Sequence, residues 1–216
     1  MNPRLRRNLL LNTKKVIRLS DNFNDNTIDL NKWLLTNPGG WFSEVNNRLE
    51  IDVPRASTVA LFVNELRSIK IISSKIIAAS CNLTWTTDAD NEAGVGIFLV
   101  DITTNTNYCK IMARSTPGGV YVLAIIQNGT IVYSFDTTIT KGKDVKINYN
   151  TYTSEISFWY WNVNQWTQMG TTKIYNIGNS MQVVLTSQDA TFINGADPGI
   201  IDNLYFQNKD FNTQYP

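Results

Sequence analysis

The chain has 216 residues, nineteen Lys and Arg against eighteen Asp and Glu, and a formal net charge of +1. It contains no histidine and two cysteines, Cys81 and Cys109, which excludes Ser-His-Asp and Cys-His catalysis, imidazole metal sites, four-cysteine zinc sites and a disulfide framework. No apolar run approaches the ~20 residues of a membrane-spanning helix.

The near-neutral total hides an asymmetry. Residues 1–18 carry Arg4, Arg6, Arg7, Lys14, Lys15 and Arg18 and no acid, whereas the remainder carries 13 basic and 18 acidic groups. The start is basic like a signal peptide, but Leu9-Leu10-Leu11 is too short for its apolar core, so Sec export is not expected. Residues 1–19 read as a docking arm. Leu9, Leu10 and Leu11 would enter a groove of a larger protein assembly, and the six cations would set the register. No aromatic residue precedes Phe23, so the stacking element of a nucleic-acid site is missing. A short helix after Pro3 and an extended arm are both compatible with the pattern.

Residues 20–216 read as one all-β domain. Apolar residues alternate, or run for four to eight positions between Asn, Gly, Pro, Asp and Thr. Strands are predicted near 44–51, 57–63, 68–86 (two), 93–101, 107–114, 119–127, 130–136, 144–150, 154–161, 165–170, 180–187 and 200–207. Pro38-Gly39-Gly40 and Pro117-Gly118-Gly119 break the chain, and Asn128-Gly129 is a strong two-residue hairpin signal. Asn (26) and Thr (23) are abundant, which suits turns and solvated strand faces. Many short strands at near-regular spacing point to a two-sheet antiparallel sandwich or a barrel.

One strand is unusually aromatic. Ser157, Trp159 and Trp161 share a face, Ile156, Phe158 and Tyr160 share the other, and Trp166 follows a short turn. If one face is core, the other presents indoles to solvent or to a partner. Trp159, Trp161 and Trp166 are therefore candidate glycan contacts, and Trp41, after the Gly-Gly turn, is a fourth. Burial of both faces against the core and a neighbouring subunit is the alternative. Cys81 and Cys109 lie on different predicted strands and could pair if those strands are neighbours; without an export signal they are expected to be buried and reduced.

Asp21-x-Phe23, Ile28-Asp29-x-x-x-Trp33, Asn46-Asn47 and Leu49-x-Ile51 follow one another at the start of the domain. Ala93–Val100 and Tyr108–Met112 read as a hairpin, and Ile201-Asp202-Asn203-Leu204-Tyr205-Phe206 as a closing strand. This order resembles the concanavalin A-like lectin/glucanase superfamily, including laminin-G-like jelly rolls, over about residues 20–207. The resemblance implies a jelly-roll β-sandwich. Laminarinase-type members carry Glu-x-Asp-x-x-Glu, which suits paired carboxylates about 5 Å apart. Here the nearest stretch is Glu50-Ile51-Asp52-Val53-Pro54-Arg55, with Arg55 in place of the second Glu. By the same resemblance, Asp21 or Asp25 with Asp202 would hold Ca²⁺, and Asp88-Ala89-Asp90-Asn91-Glu92 gathers oxygen ligands. Hydrated loops explain these acids as well, so no cofactor or metal is expected.

The functional expectation is a non-catalytic structural or decoration protein of a virion, such as a bacteriophage head or tail accessory component. It would be oligomeric in that assembly, anchored by the arm and a weak binder of surface glycans, with no membrane role. A stand-alone carbohydrate-binding or adhesion module is the first alternative. A glycoside hydrolase using Glu50 or Glu155 is the second.

Overall fold

The computed structural model describes residues 17–36, 40–51, 65–84, 94–104, 106–116, 119–126, 130–136, 143–188 and 199–208. The strands are β1 (Arg18–Asp21), β2 (Trp33–Thr36), β3 (Phe42–Val45), β4 (Arg48–Ile51), β5 (Glu65–Ser68), β6 (Ile76–Thr84), β7 (Gly94–Asp101) and β8 (Tyr108–Thr116). They continue as β9 (Gly119–Ile126), β10 (Thr130–Asp136), β11 (Lys143–Asn150), β12 (Glu155–Asn162), β13 (Gln165–Gln168), β14 (Lys173–Ile174), β15 (Met181–Gln188) and β16 (Gly199–Gln207). No helix occurs among the described residues.

The strands form two antiparallel sheets. A nine-stranded sheet runs β13-β12-β11-β6-β16-β4-β3, with β1 added to β16 and β14 to β12. A seven-stranded sheet runs β10-β9-β8-β7-β15-β5-β2. Each sheet turns alternate residues inward. From the first come Ala79, Cys81, Leu83, Ile147, Tyr149, Phe158, Leu204 and Phe206; from the second come Ile97, Leu99, Cys109, Ile111, Val183 and Leu185, all in one buried cluster. The architecture is therefore the expected all-β jelly-roll sandwich.

Local chemistry explains the opening segment. Asn46 and Asn47 both take positive φ, 53° and 61°, as a two-residue type I′ hairpin between β3 and β4 requires. Asp21 lies on β1 of one sheet and Trp33 on β2 of the other. Trp33 Nε1–H donates to Asp21 Oδ2 at 2.7 Å, and Phe23 stacks on Trp33 with centroids 6.0 Å apart. Phe23 and Trp33 are fully buried, so this hydrogen bond staples the two sheets inside the core. The Asp-x-Phe and Trp pieces of the opening pattern thus meet in space.

Some details differ from the sequence reading. β1, β2 and β14 were not predicted, nor was β5 apart from Ser68, because two to four residues give too short a pattern to show a period. The single strand predicted at 44–51 is the hairpin β3–β4, turning at Asn46-Asn47. The region 68–86 is not two strands: β5 ends at Ser68 and β6 begins at Ile76, with Ile72 bridging to Met181 between them. The predicted strand at 57–63 and the Asn128-Gly129 turn lie outside the described residues, although β9 and β10 do pair antiparallel. Cys81 and Cys109 are buried free thiols on different sheets, and burial pushes the titration of both upward.

β7 approaches β8 closely at Gly96. A Cβ there would stand 2.5 Å from the Ile111 carbonyl oxygen and 2.8 Å from Met112 Cβ. Gly96→Ala is expected to cost about 1–3 kcal/mol by overpacking. A lower urea midpoint at unchanged slope would show it, and an unchanged midpoint would contradict the register.

Candidate functional site

β12 places the aromatic residues. Ile156 and Phe158 are buried in the inter-sheet core, so Ser157, Trp159 and Trp161 face outward, where they are half-buried. The two-residue turn at Val163 and Asn164 returns the chain as β13 and sets Trp166 opposite Trp161. Their rings meet edge to face at 5.4 Å between centroids. Trp159 Nε1–H donates to Ser157 Oγ at 2.9 Å, which fixes that indole.

β11 supplies a cation to the same face. Lys146 pairs with Trp159, and its Nζ lies 5.0 Å from the Trp159 centroid and 4.8 Å from that of Trp166. The side chain is almost fully buried, its charge held against the indole faces. The three tryptophans are thus one assembled wall with Lys146 as its filler.

Polar side chains continue the face beyond the wall. Asp144, one step along β11 from the Val145–Tyr160 pair, falls on the outer face, and extending that register by one residue would set it next to Trp161. Asn82 on β6 lies opposite Asp144 and also opposite Asp202 on β16. Asn82 Nδ2–H donates to Asp144 Oδ1 at 2.9 Å, and Thr84 Oγ1–H donates to Asn82 Oδ1 at 3.3 Å. After Asp202 the β16 register slips relative to β6, with Asn203 at φ 49°. This bulge re-aims Asp202, whose Oδ1 accepts from the Asn203 N–H at 2.6 Å. Partial burial holds the Asp202 carboxyl above its ordinary titration range, opposed by that N–H and reinforced by Asp144. Asn148 Oδ1, further along β11, is a buried acceptor with no hydrogen-bond partner among the described residues. Indoles, carboxylates and amides along one row can stack on a sugar ring and bond its hydroxyls.

The other candidate residues lie elsewhere. Trp41 precedes β3 at the opposite edge of the sheet and packs against the core, so it does not join the tryptophan wall. Arg18 belongs to strand β1, paired with Gln207, rather than to an arm preceding the sheet. Arg4, Arg6, Arg7, Leu9, Leu10, Leu11, Lys14 and Lys15 lie outside the described residues, as do Asp52, Arg55 and the 88–92 acids. Glu50 is engaged by Arg48 at 2.7 Å, and Glu155 accepts from Thr153 Oγ1–H at 2.6 Å. They stand on β4 and β12, with β16, β6 and β11 between. That is roughly 19 Å at the usual strand spacing, far beyond a catalytic pair.

Asp21 and Asp202 do not converge either. Asp21 points inward with Leu19, whereas Asp202 is on the outer face with Asn82. Among the described residues no three His, Cys, Asp or Glu side chains gather to hold a metal ion. Asp25 instead donates its backbone N–H to Glu44 Oε1 at 3.1 Å. Burial, then the Asp25 side chain, pushes the Glu44 carboxyl upward. Sequence reading missed Lys146, Asp144 and Asn82 as site residues. The alternation of β11 against Val145 and Ile147 marks the first two as outward, but it does not name their neighbours across the sheet.

Asp202 and Glu44 both bind a proton more readily in the folded chain than in the unfolded one. Their contribution to stability therefore falls as pH rises from the ordinary carboxylate range through their raised values, and returns on acidification. Asp202→Asn is expected to flatten that decline in urea midpoints measured against pH. An unaltered profile would contradict the burial of Asp202.

No protein-family model and no curated protein matches the chain. Solved structures do. A bifunctional GH43-CE protein of Bacteroides eggerthii has TM-score 0.68 and 13% identity over 89% of this chain. The winged bean acidic lectin complexed with methyl-α-D-galactose gives 0.62 and 13% over 88% of this chain and 98% of the lectin. Lectin II from Ulex europaeus gives 0.60 and 13% over 88% and 99%. The chain spans only 26% of the Bacteroides protein, and 38–39% of the Bacillus licheniformis GH43 protein BlXynB, which it also resembles. The fold shared with these proteins is the concanavalin A-like jelly-roll sandwich.

Proposed function

We propose that the chain is a non-catalytic glycan-binding β-sandwich, reading sugars on the outer face of its nine-stranded sheet. The observation that carries this is the wall of Trp159, Trp161 and Trp166 around Lys146, bordered by Asp144, Asn82 and Asp202. Aromatic side chains that complete a core are buried. These three stay partly open on an exterior face and abut hydrogen-bonding groups. Two of the similar lectin structures are described with galactose or methyl-α-D-galactose bound, which supports sugar recognition by this architecture without assigning a sugar here.

Attachment through the arm to a larger assembly, such as a virion, completes the proposal. Its support is the five cations that precede β1, Arg4, Arg6, Arg7, Lys14 and Lys15, together with Leu9-Leu10-Leu11. Deleting residues 1–16 is expected to abolish incorporation into the particle while leaving sugar binding intact. Incorporation that survives the deletion overturns the anchoring half.

A hydrolase is the second reading. It is favoured by the GH43 neighbours and by Asp144 and Asp202, which flank Asn82 on one row. Two strand spacings of roughly 10 Å approach the separation of an inverting pair. Asp202, with its raised titration, would be the acid. Sugar release by the parent, lost in Asp202→Asn, would establish this reading over the first.

A glycan array followed by calorimetry tests the binding reading. Trp161→Ala or Trp166→Ala is expected to weaken binding at least about tenfold, or about 1.4 kcal/mol. Tyr152→Ala, at an exposed position off the wall, leaves it unchanged. No glycan bound by the parent, or full binding by Trp161→Ala, overturns it.

A further inference from the structure

We propose that the cavity at the β1 end of this face is a subsite for a carboxylated sugar, a uronic acid residue of the glycan bound across the nine-stranded sheet. The inference rests on the glycan-binding reading and names a class of sugar for it. Its basis is the side-chain chemistry of one pocket and that pocket's place on the sheet.

The pocket is open, of about 440 Å³, lined by Arg18, Ser20, Asp21, Asn22, Lys32 and Tyr205. That volume falls in the range of small-molecule sites. Two cations meet one acid there, and the acid is already committed. Asp21 Oδ2 accepts from Trp33 Nε1 at 2.7 Å and pairs with Lys32 at 3.4 Å, while Oδ1 accepts from the Phe23 N–H at 3.3 Å. Lys32 divides its charge between Asp21 and Asp29. Arg18 has no carboxylate in ion-pair range among the described residues, so its guanidinium is the pocket's cation left open to an anionic ligand.

Arg18 is also pre-oriented. Its guanidinium lies 4.4 Å from the Tyr205 ring centroid. Tyr205 is fixed in turn by β16, where it lies opposite Ser20 and Ser80. A guanidinium seated on an aromatic ring keeps its planar N–H fork, which matches a planar carboxylate in two hydrogen bonds. The stacking has already restricted the side chain, so less rotamer freedom is lost on binding. The Ser20 hydroxyl and the Asn22 amide supply both donors and acceptors for ring hydroxyls.

The pocket continues the indole wall. Tyr205 lies opposite Ser80, Ser80 opposite Lys146, and Lys146 opposite Trp159. From β12 to β1 that row crosses four strand spacings, roughly 19 Å. A glycan of several residues would lie over the tryptophans at one end and place an acidic residue against Arg18 at the other.

The test uses the full chain with trigalacturonate and its fully methyl-esterified, uncharged counterpart, by calorimetry and by amide and indole shifts in NMR. The free acid is expected to bind at least about tenfold tighter than the ester, with the advantage shrinking as salt is added. Shifts should appear at Arg18, Ser20 and Tyr205. Arg18→Gln should bring the two affinities together while keeping ester binding, which also shows that the variant is folded. Equal binding of acid and ester by the parent, with Trp161 still required, overturns the subsite and leaves the glycan reading standing. So does a preference for the acid that persists in Arg18→Gln or maps to other residues. Binding of neither form overturns both.

Discussion

The inward placement of Ile156 and Phe158 on β12 decides what the outer face of the nine-stranded sheet presents. A strand alternates with period two, so burying those side chains forces Ser157, Trp159 and Trp161 to the exterior. The burial is complete, and a one-residue slip would exchange three indole-face positions for core residues. No part of the fold can make that exchange, because Phe158 packs in the same cluster as Ile147, Tyr149 and Phe206. The exposed aromatic wall is thus a consequence of the core. Its indoles are spaced by the strand repeat and braced by Lys146, whose charge is stabilised by the indole faces it sits between.

A second tie extends the face toward β1. The Asp21–Trp33 hydrogen bond joins the two sheets inside the core, and so anchors a four-residue strand that, among the described residues, pairs with β16 alone. An edge strand this short has little pairing of its own. The carboxylate that secures it also draws Lys32 to the rim. β1 then holds Arg18 outward over Tyr205. The same strand therefore turns an acid inward for stability and a cation outward for recognition.

Much of the sandwich was legible in the sequence, and the reasons are local. Long alternating runs such as 143–150 and 155–162 betray their period, and Asn46-Asn47 marks its turn through side chains that tolerate positive φ. The short strands β1, β2 and β14 carry no such signal. Of the candidate site, the outward direction of Trp159 and Trp161 could be derived from β12 alone. Trp41 could not be separated from them by the same logic, because its strand's position across the sheet is set by long-range pairing. The row Trp161–Asp144–Asn82–Asp202 draws on four strands far apart in the chain, and the bulge after Asp202 decides which residue joins it. Pairing order and bulges come from the whole core's packing, so no local pattern announces them.

The central claim is that the outer face of the nine-stranded sheet, and no other surface, engages sugar. The indole N–H resonances of the tryptophans measure this most directly, because Trp41 lies at the far edge of the sheet. On titration with a bound glycan, the account predicts shifts at Trp159, Trp161 and Trp166, with Trp41 unmoved. Saturable binding that leaves those three resonances in place would contradict it.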